Sequence, residues 1–291
     1  MLNTTLVQSE NFVGWVYSID YEKALIITND KWKSDVKGIP HNSFLLAASF
    51  DPNNYGDTDE IDKEVVLLRV IGSCKLPQDD DMIKTKIDNY QNKTGVYTAE
   101  NDEFDKITRN KLQFSGLECR VLGTFYMKNN QLNLGSVIES FSASLQTRVY
   151  APKKDALGKI VNFVDPIRKN KSIEDFKLLG IDGTVEPFPI GTVRYTSTDR
   201  MHRATEQDKV PFCIQPADFL ARRTAVLGMT RTGKSNMIKQ TVSVVKKISD
   251  ENKLKIGQLV FDINGEYANA NNQDNGSISD IFKDDSVKYR M

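Results

Sequence analysis

Residues 228–235 read Gly-Met-Thr-Arg-Thr-Gly-Lys-Ser, and this stretch has the composition of a phosphate-binding loop. Such a loop turns several backbone N–H groups toward an anion, and the positive end of the following helix strengthens the attraction. Gly233 lets the chain bend tightly against the phosphates, where a Cβ would collide. Lys234 supplies a charge for the β- and γ-phosphates, and Ser235 offers its hydroxyl to Mg²⁺. The stretch therefore predicts a site for ATP and Mg²⁺.

The residues on either side of the loop predict its structural context. Residues 224–227 form a short apolar run, and residues 235–248 repeat apolar side chains at three- and four-residue steps, the period of a helix. A second apolar run covers residues 257–262. Strand, loop, helix and strand in this order form one unit of a parallel sheet, the context in which the glycine-rich motif binds nucleotide. A coincidental turn is the alternative.

Two acidic residues follow the second apolar run. An aspartate at the carboxyl end of a strand in an α/β sheet faces the ligand crevice, so Asp262 is a candidate ligand of Mg²⁺ or of its waters. Glu266 is a candidate for orienting the attacking water. The alternative for both residues is a strand-end turn in which Gly265 adopts a positive φ.

The candidate residues fall into three groups. The nucleotide-binding candidates are Gly228, Thr230, Arg231, Thr232, Gly233, Lys234, Ser235, Asn236 and Arg222. The catalytic candidates are Lys234, Asp262 and Glu266, and the metal-ligand candidates are Ser235 and Asp262. Arg222 and Arg223 precede the first apolar run, where a guanidinium group can contact a phosphate or the nucleotide of a neighbouring subunit. A surface salt bridge is the equal alternative.

The N-terminal half has a different pattern, with short β-branched and aromatic runs separated by turn residues. The six predicted strands cover residues 12–19, 24–28, 43–49, 65–71, 119–127 and 132–141. Strands of this length and spacing predict a small antiparallel barrel, with a sandwich as the alternative. Gly14, Gly123 and Gly135 lie inside these runs, where glycine can mark the bulges that let a barrel close.

Two polar segments interrupt the strands, and a basic region follows them. Residues 51–64 form an acidic loop, and residues 79–111 predict a helical or irregular insertion. We interpret both as solvated surface, with partner docking as the alternative. Positive charge dominates residues 148–171, which either face solvent or contact DNA phosphates. The predicted domains are a barrel over residues 1–147, a junction over 148–215, and the first part of an α/β nucleotide-binding domain over 216–291.

Composition restricts the class of protein. The chain has 291 residues, enough for two domains, and its 39 basic residues balance its 39 acidic residues. This balance excludes a uniformly basic surface but permits a local channel for nucleic acid. Three widely separated cysteines are typical of reduced thiols rather than of a disulfide framework. With no signal-peptide pattern and no apolar run near the length of a membrane helix, we predict a cytoplasmic protein that does not contact a membrane.

Two motifs together resemble the HerA family of hexameric ATPases, relatives of the FtsK DNA pumps. The motifs are residues 219–236 and the Asp-Ile-Asn-Gly-Glu-Tyr run at 262–267. The family has an arginine twelve residues before the loop lysine, and Arg222 matches it. Arg231 stands where the family has glycine, and Arg223 stands where it has histidine.

The resemblance implies a RecA-like core preceded by a partner-docking barrel, the HAS-barrel type. It also implies a homo-hexameric ring that translocates on or unwinds duplex DNA with an effector, a nuclease or a Sir2-like enzyme, in DNA processing or antiphage defence. The family's later acidic residues and its trans-acting arginine are expected after residue 291. The alternative is a scaffold in which nucleotide controls oligomerisation and the barrel recruits an effector enzyme. A GTPase or nucleotide kinase is less favoured, because no Asn-Lys-x-Asp motif follows the loop.

Overall fold

A computed structural model describes most of the chain. The described residues are 1–77, 79–81, 83–84, 114–137, 147–183, 185–196, 206–220, 222–229, 232–270 and 276–289. The chain divides into two compact units. The barrel unit comprises Met1–Pro166 with Thr192–Val210, and the nucleotide unit comprises Ile167–Gly191 with Pro211–Met291.

Seven antiparallel strands build the barrel unit. They are β1 (Phe12–Ile19), β2 (Lys23–Asn29), β3 (Phe44–Ala48), β4 (Val65–Cys74), β5 (Phe114–Lys128), β6 (Gln131–Gly135) and β7 (Arg148–Tyr150). The strands pair in the order β2–β1–β7–β3–β4–β5, and β2 also pairs with β5. Six strands therefore close into a barrel. β6 pairs with β5 but takes no part in the closure. The sequence-based prediction of an antiparallel barrel is confirmed.

Alternation along the strands gives the barrel two apolar layers. In β4, Val66 and Leu68 belong to the cluster that fills the barrel, whereas Val65 and Leu67 belong to a second cluster on the outer face. Successive strand residues point to opposite sides of a sheet, so a continuous apolar run such as β4 is buried on both sides. The described residues of this unit also include the helices α1 (Leu2–Thr5), α2 (Asp30–Asp35) and α3 (Lys154–Val161). Leu2 of α1 and Ile160 of α3 lie in the outer cluster.

Two of the three predicted bulge glycines lie at bulges. The register between β1 and β7 shifts next to Gly14, and the register between β4 and β5 shifts next to Gly123. A Cβ on Gly14 would lie 2.0 Å from the Ile27 carbonyl oxygen, and the φ of Gly14 is +153°. Gly135 instead pairs in regular register with Thr124, so the prediction of a bulge there is wrong.

The nucleotide unit contains two long helices and a small sheet. Its elements are α4 (Pro166–Leu178), β8 (Phe188–Thr192), β9 (Pro211–Ile214), α5 (Lys234–Glu251) and α6 (Ile278–Ile281). The periodicity of residues 235–248 correctly predicts α5, whose Val244 and Ile248 are buried against Phe176 and Phe188. This core covers one face of α5 only, as expected for an amphipathic helix.

The two apolar runs that flank α5 do not form the predicted strands. Residues 224–227 and 257–262 have no strand assignment, and Leu227, Leu259 and Phe261 are each at least 78% exposed. A strand exists only when a neighbour satisfies its backbone N–H and C=O groups, and neither run pairs with a neighbour in the described part of the chain. The apolar pattern predicted these strands, but it does not show whether a neighbouring strand is available to pair with them.

The remaining regional predictions have mixed outcomes. The acidic loop at 51–64 contains two 3₁₀ turns, Pro52–Asp57 and Glu60–Asp62. Of the predicted insertion at 79–111, residues 79–81 and 83–84 are helical, and residues 85–111 lie outside the described residues. Residues 148–215, predicted as a junction, contain β7 of the barrel as well as α3, α4, β8 and β9. None of the described helices has the length and apolarity needed to cross a membrane.

We expect Gly14→Ala to destabilise the barrel unit by about 2–3 kcal/mol, because the new Cβ would collide with the Ile27 backbone at a φ that alanine rarely adopts. Gly72→Ala in β4 is the matched control, since nothing lies within 4 Å of its built Cβ; its effect should stay within about 0.5 kcal/mol. Urea unfolding followed by circular dichroism measures both. Equal effects of the two substitutions would contradict the proposed reason for Gly14.

Candidate nucleotide site

The loop-to-helix junction presents backbone N–H groups as the sequence predicts. Gly233 is the N-cap of α5 and adopts the left-handed conformation at φ +91°. No side chain of the described residues caps this end by a hydrogen bond. Because the first N–H groups of a helix have no partner within the helix, they are available to an anion at this end.

The side chain of Lys234 folds back over the loop. Its ammonium group donates to the carbonyl oxygens of Gly228 at 2.8 Å and Met229 at 2.6 Å. The Thr232 hydroxyl donates to the same Met229 carbonyl at 2.7 Å. The lysine charge is thus held above the loop, where the phosphates are expected, and one of its three N–H donors is left for a further acceptor.

The two loop glycines have different surroundings. A Cβ on Gly228 would lie 2.7 Å from the Thr232 hydroxyl oxygen, so the Thr232 side chain would have to shift to make room for it. At Gly233 nothing lies within 4 Å of a built Cβ, and the positive φ is the constraint instead. The sequence-based prediction of a collision at Gly233 concerns the bound phosphates, and it stays a prediction.

The acidic residue Glu266 contacts the loop directly. The Ser235 hydroxyl donates to the Glu266 carboxylate at 2.5 Å, although 31 residues separate them. Both side chains are partly buried. The sequence predicts each residue as part of the site, but no spacing rule pairs them; the fold brings the proposed metal ligand and the proposed water-orienting acid together.

Asp262 organises the turn that carries Glu266. Its carboxylate accepts the backbone N–H of Glu266 at 3.0 Å, of Tyr267 at 2.9 Å and of Ala268 at 2.8 Å. Burial by itself raises the pKa of Asp262, but the backbone N–H donors outweigh it and hold this pKa below its ordinary value. Gly265 has a φ of +73°. The turn considered as the alternative is therefore present, and a metal role for Asp262 stays a prediction.

Arg222 forms the surface salt bridge that was the alternative to a nucleotide contact. Its guanidinium group donates to the Asp175 carboxylate of α4 at 2.6 Å, and both side chains are more than a third exposed. Arg223 and Asn236 are exposed. The candidates Thr230 and Arg231 lie outside the described residues.

The donor set fits a nucleotide with Mg²⁺. Mg²⁺ in such sites takes one or two protein oxygens, and substrate phosphates and waters complete its coordination. Ser235 and the adjacent Glu266 supply oxygens of this kind. No cluster of three or more metal-ligating side chains occurs in the described parts of the chain, so a protein-only metal cage is not present there. The helix N-terminus, Lys234 and Ser235 together can bind a phosphate–Mg²⁺ group.

Comparison with protein families agrees with this geometry. The family model described as "Helicase HerA, central domain" matches residues 189–290, about a third of the chain. This region is similar to the central domain of that family. The match includes the loop, α5 and the Asp262 turn, and it indicates an ATPase motor of the HerA/FtsK type. No curated protein matches the chain.

We expect Asp262→Asn to lower the thermal unfolding midpoint at pH 7 by about 2–4 °C, because it removes a charged acceptor of three N–H groups. The folded-state pKa lies below 3.8, so the ionised carboxylate stabilises the fold above that pH, and this stabilisation is lost as the pH falls through the folded value. The difference in unfolding midpoint between the variant and the wild type should therefore become smaller as the pH falls toward 3. Calorimetry across pH measures it, with the exposed Asp284→Asn as control. A pH-independent difference would contradict the charge-based explanation.

Proposed function

We propose that this chain is a subunit of a ring-forming, ATP-driven motor that moves along or encircles duplex DNA and carries an effector protein on its barrel. The observation that carries the proposal is the contact between Lys234 and the loop carbonyls in a region that matches the HerA central domain. The effector would be a nuclease or a Sir2-like enzyme, and the process DNA end processing or antiphage defence.

Four side chains have separate roles in the proposed hydrolysis. Lys234 exchanges loop carbonyls for phosphate oxygens and balances their negative charge. With a metal ion bound, the Ser235 hydroxyl would be a ligand of that ion instead of a donor to Glu266. The metal ion, when bound, neutralises charge that develops on the β- and γ-phosphates. Glu266 is then free to orient a water or to accept its proton, while Asp262 holds the backbone that positions Glu266.

The proposed DNA contact relies on local charge rather than on net charge. Lys169 and Lys171 of α4 are exposed, in a chain whose total formal charge is zero. Basic side chains on one helix can release counterions from DNA phosphates even when the whole protein is neutral. A ring follows if head-to-tail contacts between subunits close on themselves. The HerA-type central domain supports this assembly, because members of the family are oligomeric ring motors.

The first test is ATP hydrolysis with and without duplex DNA. We expect hydrolysis to rise several-fold with DNA and to fall by at least about 100-fold in Lys234→Ala, since the phosphate charge is no longer balanced. Lys255→Ala, which removes an exposed lysine of the same unit, is the control and should behave as the wild type. Hydrolysis that ignores DNA would contradict the motor. Nucleotide-dependent ring formation without a DNA effect would favour the scaffold instead.

The second test separates catalysis from folding at Glu266. Glu266→Gln keeps the size of the side chain and an acceptor for Ser235 but removes the negative charge. We expect nucleotide affinity within about threefold of wild type and hydrolysis lowered by about 100-fold, the usual contribution of an acid–base group. Binding of a fluorescent ATP analogue and single-turnover hydrolysis measure the two quantities, with the exposed Glu251→Gln as control. Unchanged hydrolysis, or loss of binding in parallel with hydrolysis, would exclude the proposed role.

A further inference from the structure

One face of α5 contacts both the acidic turn (residues 262–268) and the α6 segment (residues 276–285, which contain α6). Ser235 and Lys239 lie four residues apart, so their side chains project from the same side of the helix. The Ser235 hydroxyl donates to a carboxylate of the acidic turn, and the Lys239 ammonium group donates to the Gly276 carbonyl oxygen at 3.2 Å. The acidic turn and the start of the α6 segment are therefore attached to the same face of α5.

A further contact holds the far end of the α6 segment. Lys246 lies seven residues after Lys239, two helical turns along the same side of α5, and its ammonium group pairs with the Asp285 carboxylate at 3.1 Å. The Asp285 side chain is 61% exposed, and an ion pair exposed to this degree adds little stability by itself. The position of the segment therefore depends mainly on Lys239 and on the contacts with the acidic turn.

The α6 segment binds the carbonyl groups of the acidic turn. The N–H groups near the end of this turn donate to Asp262, so its carbonyl oxygens need donors from elsewhere. The Ile278 backbone N–H donates to the Tyr267 carbonyl oxygen at 2.9 Å. The Ser279 hydroxyl donates to the Ala268 carbonyl oxygen at 2.6 Å. The acidic turn is thus held through both its N–H and its C=O groups.

The Ser279 hydroxyl is oriented by its neighbours in the α6 segment. Ser277 is the N-cap of α6 and is fully buried, and its hydroxyl oxygen lies 2.9 Å from that of Ser279. A hydroxyl has one hydrogen to donate, and that of Ser279 is used on Ala268, so Ser279 is the acceptor in its contact with Ser277. The Ser279 hydroxyl is therefore set to donate to the acidic turn, which gives the turn a fixed support.

We propose that Ser279 is a positioning residue for Glu266. Its hydroxyl holds the Ala268 carbonyl and, with Lys239, ties the acidic turn to α5, so the Glu266 carboxylate stays within hydrogen-bond distance of Ser235. This inference rests on the proposed role of Glu266 in hydrolysis. Ser279 acts through the backbone of the acidic turn and takes no part in the chemistry itself. A displacement of about 1 Å at a reacting group can lower a rate by up to about 100-fold.

Hydrolysis and nucleotide binding respond differently if Ser279 positions Glu266. In Ser279→Ala we expect single-turnover ATP hydrolysis with duplex DNA to fall about tenfold, while the affinity for a fluorescent ATP analogue stays within about threefold of wild type. In the Glu266→Gln background the same substitution should lower hydrolysis by less than about twofold, since Ser279 acts only through the Glu266 carboxylate. The matched control is Ser286→Ala, which removes a half-buried hydroxyl that forms no hydrogen bond with the described residues.

An isosteric pair of variants separates the hydroxyl from the shape of the side chain. Ser279→Thr and Ser279→Val differ only by a hydroxyl in place of a methyl group, so a steric effect on folding is common to both. We expect the threonine variant to hydrolyse ATP several-fold faster than the valine variant. Hydrogen exchange measured by mass spectrometry should be several-fold faster for residues 266–268 in the valine variant, while residues 244–248 of α5 are protected equally in both.

The proposal is overturned if the threonine and valine variants show equal hydrolysis or equal exchange of residues 266–268. It is also overturned if Ser279→Ala lowers hydrolysis as much in the Glu266→Gln background as in the wild type, or if nucleotide affinity falls in parallel with hydrolysis. Failure of the proposed function looks different, because Glu266→Gln itself then leaves hydrolysis unchanged. In that case the exchange measurement alone decides whether Ser279 holds the acidic turn.

Discussion

The pairing of β2 with β5 closes the barrel, and most of the N-terminal architecture depends on it. Closure removes the free sheet edges that would otherwise expose backbone groups, and it divides strand side chains into an inner and an outer layer. The bend needed for closure is made possible by Gly14 and Gly123, where the backbone of a neighbouring strand approaches too closely for a side chain. The outer layer then provides the surface on which α1 and α3 pack.

In the nucleotide unit, a short series of hydrogen bonds connects the loop to the acidic turn. Asp262 fixes the backbone of the turn, the turn carries Glu266, and Glu266 accepts from Ser235 at the start of α5. A residue predicted as a metal ligand thus acts on the site through its neighbours in the chain. These hydrogen bonds explain how the Glu266 carboxylate, on a surface turn, is held close to the loop. The position of a reacting group depends on the hydrogen bonds made by the residues around it.

Local patterns predicted the elements that need only local information. Alternating and continuous apolar runs located β1 to β5, helical periodicity located α5, and the glycine–lysine–serine spacing located the loop. Sequence patterns gave wrong predictions where a structure depends on residues far away in the sequence. Residues 224–227 and 257–262 are apolar enough for strands but lack strand neighbours among the described residues. The Ser235–Glu266 contact and the Arg222–Asp175 bridge join residues 31 and 47 positions apart, and only the folded chain reveals them.

The position of the Lys234 ammonium has a consequence for the thermodynamics of ligand capture. Its ammonium group already donates to the carbonyl oxygens of Gly228 and Met229, so part of the rotamer freedom of the side chain is lost before a ligand arrives. When an anion binds, the Lys234 ammonium group exchanges carbonyl oxygens for anion oxygens, and a freely moving lysine side chain does not have to be ordered. The new acceptors are charged phosphate oxygens, which form stronger hydrogen bonds with an ammonium group than neutral carbonyl oxygens do. The loop therefore already holds the Lys234 ammonium group in place before a ligand binds.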